Sequence, residues 1–457
     1  MDYKARKELF VKDLQGADMN TVSQPIIATV VCHGLWFLVR KLSSRLGVPP
    51  SNPEAPSWID FFLDFILICI PLLATMTGFQ PQVENLNIIG SIAILIASLV
   101  LRSKSKSRPD KGKLKVPGSL KSKGKQVPYI SIYRSSLMIM TCIAILAVDF
   151  HVFPRFHAKV ETFGSSLMDL GVGTFIFSSG LISGRGTNQP SQARIKNDLA
   201  VSLKKSFPLW VIGIVRLISV KLSDYQEHVT EYGVHWNFFF TLGCLPVLVA
   251  ILEIFNAGAA ISGWATALVY QALLLCTPLQ GYILSPTRIM GDLISMNREG
   301  LCSLFGYLAI FFVGKDLGTV VFRSSSRRPL SIEFGGRFLV YLSFYLVSYY
   351  FMDIPISRRL ANFSYVAWVS CIGVAQLGGF CLVNKLLDIK QVPVIHQEVN
   401  FNGLLIFLVA NILTGLINMS VPTLDVSDNQ AYVILTGYLF ALCLLAHIFF
   451  LLKRKLI

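Results

Sequence analysis

The sequence is poor in charge and poor in short catalytic signatures. Only 15% of its 457 residues are charged, against roughly 25% in soluble domains, which argues against an ordinary water-soluble globule. No HExxH, P-loop, GxSxG or Cys/His zinc spacing occurs, so nothing in the chain asks for a metal or a nucleotide fold. The nine cysteines, Cys32, Cys69 and Cys142 among them, lie in apolar stretches without paired spacing. They predict small buried hydrophobes rather than a disulfide framework. Residues 1–24 are too polar for a cleavable signal peptide, so the first apolar run is expected to direct insertion itself. No internal repeat is visible, which weighs against a transporter built from two related halves.

What is present is apolar and aromatic: 53% hydrophobic residues, 32 Phe and 15 Tyr, with mean hydropathy +0.59. A membrane-crossing helix needs about 20 mostly apolar residues. That window predicts an all-α polytopic membrane protein, one domain over 1–457, with about thirteen transmembrane helices in one bundle. The runs are 24–40, 57–77, 86–102, 135–152, 165–183, 202–222, 235–255, 258–279, 300–317, 336–353, 361–384, 402–420 and 430–452. The junction at Asn256-Ala257-Gly258-Ala259 is also compatible with one long bent helix.

The net charge of +15 does not point to nucleic acid, because the basic residues cluster between apolar runs. The richest cluster, RSKSKSRPDKGKLKVPGSLKSKGK, predicts a disordered cytosolic loop over 103–134. Alternating the connections from there places Arg40/Lys41/Arg45, Arg185/Arg194/Lys196, Arg323/Arg327/Arg328 and the Lys453-Arg454-Lys455 tail on the same side. By the positive-inside rule the N-terminus is then on the non-cytosolic side, luminal for an internal membrane, and the C-terminus cytosolic.

The opposite connections hold the candidate chemistry. In LAVDFHVFPRFHAKVETFG (146–164), Asp149 ends an apolar helix and Pro154 forces a turn before Lys159. Ionisable groups at a membrane boundary are functional candidates, with a helix-end ion pair as the bland alternative. His151 and His157 are possible bases or interfacial anchors. His235-Trp236-Asn237 offers a donor and an acceptor beside an interfacial aromatic. Asn297-Arg298 opens another run, and a guanidinium fork suits phosphate, although a capped helix start reads equally well. Arg216 and Lys315 lie inside apolar runs and need a cavity, a carboxylate or the interface; Asp169 is a possible partner for such a cation. Two glycosylation sequons, at Asn362 and Asn418, fall on that same side.

Long blocks carry a resemblance. VDFHVFPRFHAKVETFGSSLMDLGVGTFIFSSGLIS (148–183), EYGVHWNFFFTLG (231–243), MNREGLCSLFGYLAIFFVG (296–314) and KELFVKDLQGADMNTV (7–22) resemble the inositol acyltransferases of GPI-anchor biosynthesis. The resemblance covers nearly the whole chain apart from the basic loop. It implies a multispanning endoplasmic reticulum enzyme with a luminal site. The reaction implied is transfer of a fatty acyl chain, typically palmitoyl, from acyl-CoA to the inositol ring of glucosaminyl-phosphatidylinositol. The resemblance further implies that Asp149 and Lys159 are the catalytic pair. Acyl-CoA would be a co-substrate, with no bound cofactor. His151, His157, Asp169, His235, Trp236, Asn237, Asn297 and Arg298 remain substrate-contact candidates on position and chemistry alone. Two other readings stay open: a lipid or solute transporter, and an acyltransferase whose base is a membrane histidine such as His151 or His157.

Overall fold

Inside a bilayer every backbone polar group must be satisfied within the chain, and this chain answers with helices. The computed structural model has no strand among its described residues, which are 3–12, 14–45, 57–106, 127–185, 192–222, 229–255, 257–323, 329–389 and 391–455. Each of the thirteen predicted apolar runs falls on helix, and ten of these helices are long and apolar enough to cross a membrane. Three differ from the expectation. Leu167–Ser183 and Phe238–Leu252 have only 17 and 15 residues, about 26 and 23 Å of helix. In Gln192–Leu222 the apolar run is interrupted by Lys204, Lys205 and Arg216.

Several boundaries also shift. The helix expected to reach Asp149 is Pro128–Ala147; it gives way to turns, and Arg155–His157 forms a single 3-10 turn. Most of the predicted disordered loop, 107–126, lies outside the described residues. Its two ends are helical: Val83–Lys106 runs past Ser103, and Pro128 starts a helix at the position where its missing N–H is no loss. At the ambiguous junction the chain forms two helices rather than one bent one. Phe238–Leu252 ends, and Ala259–Cys276 begins after Gly258 with φ of 76°.

The chain divides into two compact units, 1–18 with 158–375, and 19–157 with 376–457. In the first, Leu167–Ser183 and Arg298–Phe322 cross through glycines. Gly180 lies against the carbonyl of Phe311, and Gly314 against that of Phe177, so a methyl group at either would meet backbone. Gly184 and Gly318 repeat the contact one turn on. This small-xxx-small pairing lets two backbones approach where lipid offers no hydrophobic drive for association. The two helices whose second halves meet here carry Asp169 and Arg298 at their starts.

In the second unit, buried polar contacts join the helices. Asp64 accepts from the indole N–H of Trp36 (2.6 Å) and from the backbone N–H of Val394 (2.5 Å). Ser135 bonds to His396 (2.7 Å), His33 to Asn384 (2.8 Å), and His447 to Glu398 (2.6 Å). Arg40 pairs with Asp60. The short helix Val394–Phe401 supplies His396 and Glu398 to this set.

The glycine crossing makes a direct prediction. Gly314→Val overfills a contact with backbone, which cannot rotate away, and should cost about 1–3 kcal/mol. Thermal unfolding of the purified protein in detergent checks this; Gly335→Val, which has open space at its Cβ, is the control with little expected change.

Candidate functional site

Lys159 leads the irregular stretch of the first unit and is held at both ends. Its neighbour Val160 donates its backbone N–H to Asp169 Oδ2 (3.1 Å), which fixes the main chain. Its ammonium donates to both carboxylate oxygens of Glu231, at 2.8 and 3.0 Å, while 41% of the side chain stays exposed. Asp169 is in turn set by Ser166, the N-cap of Leu167–Ser183. That hydroxyl accepts from the Asp169 N–H (3.1 Å) and donates to its Oδ2 (2.7 Å).

Arg358 joins these carboxylates. Its Nε donates to Asp169 Oδ1 (2.6 Å) and its Nη1 to Glu231 Oε1 (3.2 Å). The guanidinium is buried. Burial opposes its charge, but Glu231 and Asp169 outweigh it and hold Arg358 well above the usual range. Burial also works against the charge of Glu231; Lys159 and Arg358 overcome it, and Glu231 is held down at about 2. Arg216, expected to need a carboxylate, adds to the field on Glu231. Lys315 finds its partner in Glu253, and Asp169 pairs with Arg358 rather than with either of the cations inside the apolar runs.

A second cluster of this unit gathers around Asn297. Its Oδ1 accepts from the backbone N–H groups of His235 (2.8 Å) and Trp236 (2.9 Å), and its Nδ2 donates to Leu293 O (2.9 Å). Asn237 caps Phe238–Leu252 by accepting from Phe239 N–H (3.0 Å), and it donates to Gly213 O (3.0 Å). The indole N–H of Trp236 donates to Thr241 (2.9 Å). Asn297 and Trp236 therefore shape the segment and Asn237 serves as a helix cap, while the half-buried ring of His235 remains within 3.5 Å of Asn297 Nδ2. Arg298 is buried, with Nη1 on Thr287 O (2.8 Å) and Nη2 on Ser285 O. Glu299 is fully buried and accepts from Arg288 (2.6 and 3.0 Å) and Arg359 (3.0 Å).

The other unit holds Asp149. Its Oδ2 accepts from Asn418 Nδ2 (2.7 Å). Arg155 lies in its field and donates to the carbonyls of Val148 (3.0 Å), Phe150 (3.2 Å) and Phe153 (2.9 Å). Burial brings Arg155 down to about 10, against the pull of Asp149. His151 is exposed. His157 is buried between the rings of Phe153 and Phe156, and burial lowers it to about 4. Neither of its ring nitrogens has a hydrogen-bond partner among the described residues, so at neutral pH it is an uncharged ring in an aromatic pocket. Of the sequons, Asn362 is buried with Nδ2 donating to Pro355 O (2.7 Å), and Asn418 is engaged with Asp149 and Thr414 O.

Sequence reasoning passed over Glu231, Arg358, Arg359 and Glu299. Glu231 and Glu299 lie in the quoted blocks and the two arginines in none, and Arg359 meets Glu299 from 60 residues away. Glu231 is 72 residues from Lys159.

Residues 3–449 match the model of the GWT1 family. The chain is 40% identical over 491 residues to a protein of Aspergillus oryzae named GPI-anchored wall transfer protein 1, covering 95% of each. Proteins of the same name from Yarrowia lipolytica (39% over 481 residues, 96% of each) and Schizosaccharomyces pombe (37% over 469, 98% of each) are also similar.

The network generates a stability prediction with a defined pH sign. Arg358→Gln leaves the buried Asp169 carboxylate without its cation and takes one of two cations from Glu231, and should destabilise by about 3–5 kcal/mol. Glu231 has its acidity strengthened in the fold, so its contribution is complete above about 4.5 and fades as pH falls toward about 2. The unfolding-temperature gap between wild type and Glu231→Gln should be constant from neutral pH to about 5 and close below that. A gap that persists unchanged at pH 3 would contradict the ion-pair account.

Proposed function

Since the chain belongs to the GWT1 family, we propose that it acts in GPI-anchor biosynthesis as a membrane O-acyltransferase. The acyl chain, palmitoyl in the first instance, passes from acyl-CoA to an inositol hydroxyl of glucosaminyl-phosphatidylinositol. The reading places the protein in the endoplasmic reticulum membrane with its site on the luminal side, as the distribution of loop charge suggests. The names of its relatives and the sequence blocks around Asp149 and Lys159 support it.

The observation that carries the mechanism is the two-oxygen grip of Glu231 on the Lys159 ammonium. An amine paired in this way is a cation, which suits it to stabilise negative charge rather than to remove a proton. Asp149, fixed by the amide of Asn418, is the base. It takes the proton from the inositol hydroxyl; the hydroxyl oxygen attacks the thioester carbonyl; and Lys159 stabilises the oxyanion. The C–S bond then breaks, the ester forms, and the proton passes from Asp149 to the departing thiolate. The half-buried ring of His235 is the candidate contact for the sugar hydroxyls. His157, whose ring nitrogens have no hydrogen-bond partner among the described residues, is less suited to serve as an oriented base, because an effective base needs a third group to hold it.

The test incubates purified protein with labelled palmitoyl-CoA and glucosaminyl-phosphatidylinositol and analyses the lipid product. Asp149→Asn and Lys159→Ala should each lower turnover by about 10²–10⁴-fold while the fold is retained. His157→Phe should keep most of the activity. Turnover surviving both the Asp149 and Lys159 changes would remove the pair from the mechanism, and loss with His157→Phe in folded protein would favour a histidine base.

A further inference from the structure

Between the helices Ala259–Cys276 and Arg298–Phe322 the chain makes only the short helices Leu279–Leu284 and Leu293–Met296. The stretch belongs to none of the ten candidate spans, yet its tip is apolar and bare. Ile289, Met290, Leu293 and Ile294 are 66, 83, 68 and 63% exposed. Four such side chains within six residues make a patch that water would penalise. Joining two helices apolar enough to cross a membrane, the stretch belongs at a span end, where head groups meet acyl chains.

Beneath this tip lies an imbalance of charge. Arg288 forks onto Glu299 and donates to Met296 O (3.0 Å), at the base of the apolar turn. Arg359 donates to the same carboxylate (3.0 Å) and to Ile283 O (3.3 Å). Arg298 Nε lies 3.9 Å from it. One carboxylate thus serves three guanidiniums. Arg298 and Arg359 have no second carboxylate partner among the described residues, and the buried Nε atom of each lacks a hydrogen-bond partner there. Carbonyl dipoles offset part of this charge, but buried cations in excess call for an anion. The Arg288 side chain, 15% exposed, is the edge from which the cluster meets the surface.

We propose that this connection is a binding site for an anionic phospholipid of the bilayer, its phosphodiester at Arg288, Arg298 and Arg359 and its acyl chains along Ile289, Met290, Leu293 and Ile294. Planar guanidinium forks match phosphate oxygens, and only a lipid supplies the apolar cover as well. A soluble phosphate satisfies the first requirement and leaves the second unmet. The inference is independent of the acyl-transfer reading, since it invokes neither Asp149 nor Lys159.

Native mass spectrometry of the full-length protein in maltoside, with phosphatidylinositol added, tests it. Wild type should retain phosphatidylinositol in preference to diacylglycerol. R359Q should lower retention about tenfold, a loss of about 1.4 kcal/mol. The double change M290Q/L293Q alters exposed side chains only; it should lower retention while leaving the unfolding temperature unchanged, so it decides the matter if R359Q does not fold. Equal retention by wild type and folded variants, or no retention by wild type, would overturn the proposal. So would displacement of the lipid by inorganic phosphate or free CoA, which would make the occupant a soluble anion.

Discussion

The first unit depends on one buried guanidinium. Arg358 carries a full charge into a place water does not reach, which would cost several kcal/mol if it stood alone. It is tolerated because Asp169 and Glu231 both face it, and each carboxylate is itself held: Asp169 by Ser166 and the Val160 N–H, Glu231 by Lys159. Removing Arg358 leaves Asp169 without its cation, and removing Asp169 or Glu231 takes from Arg358 one of its two carboxylates. Lys159 is the only substantially exposed member of the set, with 41% of its side chain open. Rigid buried charges behind one accessible ammonium give a cation whose position is fixed before any ligand arrives, as electrostatic catalysis requires.

The helices behind this network are as constrained as the charges. The glycine crossing of Leu167–Ser183 with Arg298–Phe322 brings two backbones together. Asp169 lies in the first turn of one helix and Arg298 opens the other. Adjacent residues then divide the work: Arg358 turns to Asp169 and Glu231, while Arg359 turns to Glu299. The two ionic clusters therefore share one short turn, just ahead of Phe363–Leu387, in which Ala361 takes a left-handed conformation with φ of 46°.

Hydropathy is written along the chain, so the helices were legible; every predicted apolar run falls on helix. Helix length and interrupting charge were less legible, and Leu167–Ser183, Phe238–Leu252 and Gln192–Leu222 show why. An apolar window continues into flanking turns that a helix cap cuts off: Ser166 and Asn237 are N-caps and start their helices later than hydropathy would. Pairing was the least legible. Arg358 meets Asp169 from 189 residues away and Glu231 from 127, and no local pattern carries such distances. Asp169 could be expected to find a cation because a carboxylate beside an apolar run needs one, but which cation depends on the fold. Asn297 and Asn237 were singled out for their chemistry and are engaged with backbone groups, and the Trp236 indole with Thr241. Their side chains are suited to capping for the same reason they suit ligands, and sequence alone does not separate the two uses.

The ion pair of Lys159 with Glu231 also narrows what chemistry the exposed end of this network can perform. A lysine acts as a base only through a free amine, and the Lys159 ammonium already donates to two carboxylate oxygens at 2.8 and 3.0 Å. Moving Glu231 away would free the amine, but Arg358 also donates to Glu231 Oε1, so the carboxylate is not at liberty to follow a ligand. The ammonium can therefore attract an anion or a developing oxyanion, yet its field is partly spent on Glu231. An anion that approaches must compete with that carboxylate or share the ammonium's remaining N–H. Sharing preserves the buried network, and a nascent oxyanion, which needs one strong donor for a short time, fits that geometry better than a permanently bound phosphate would. This favours Lys159 as a transition-state contact and leaves steady anion binding to the arginines around Glu299.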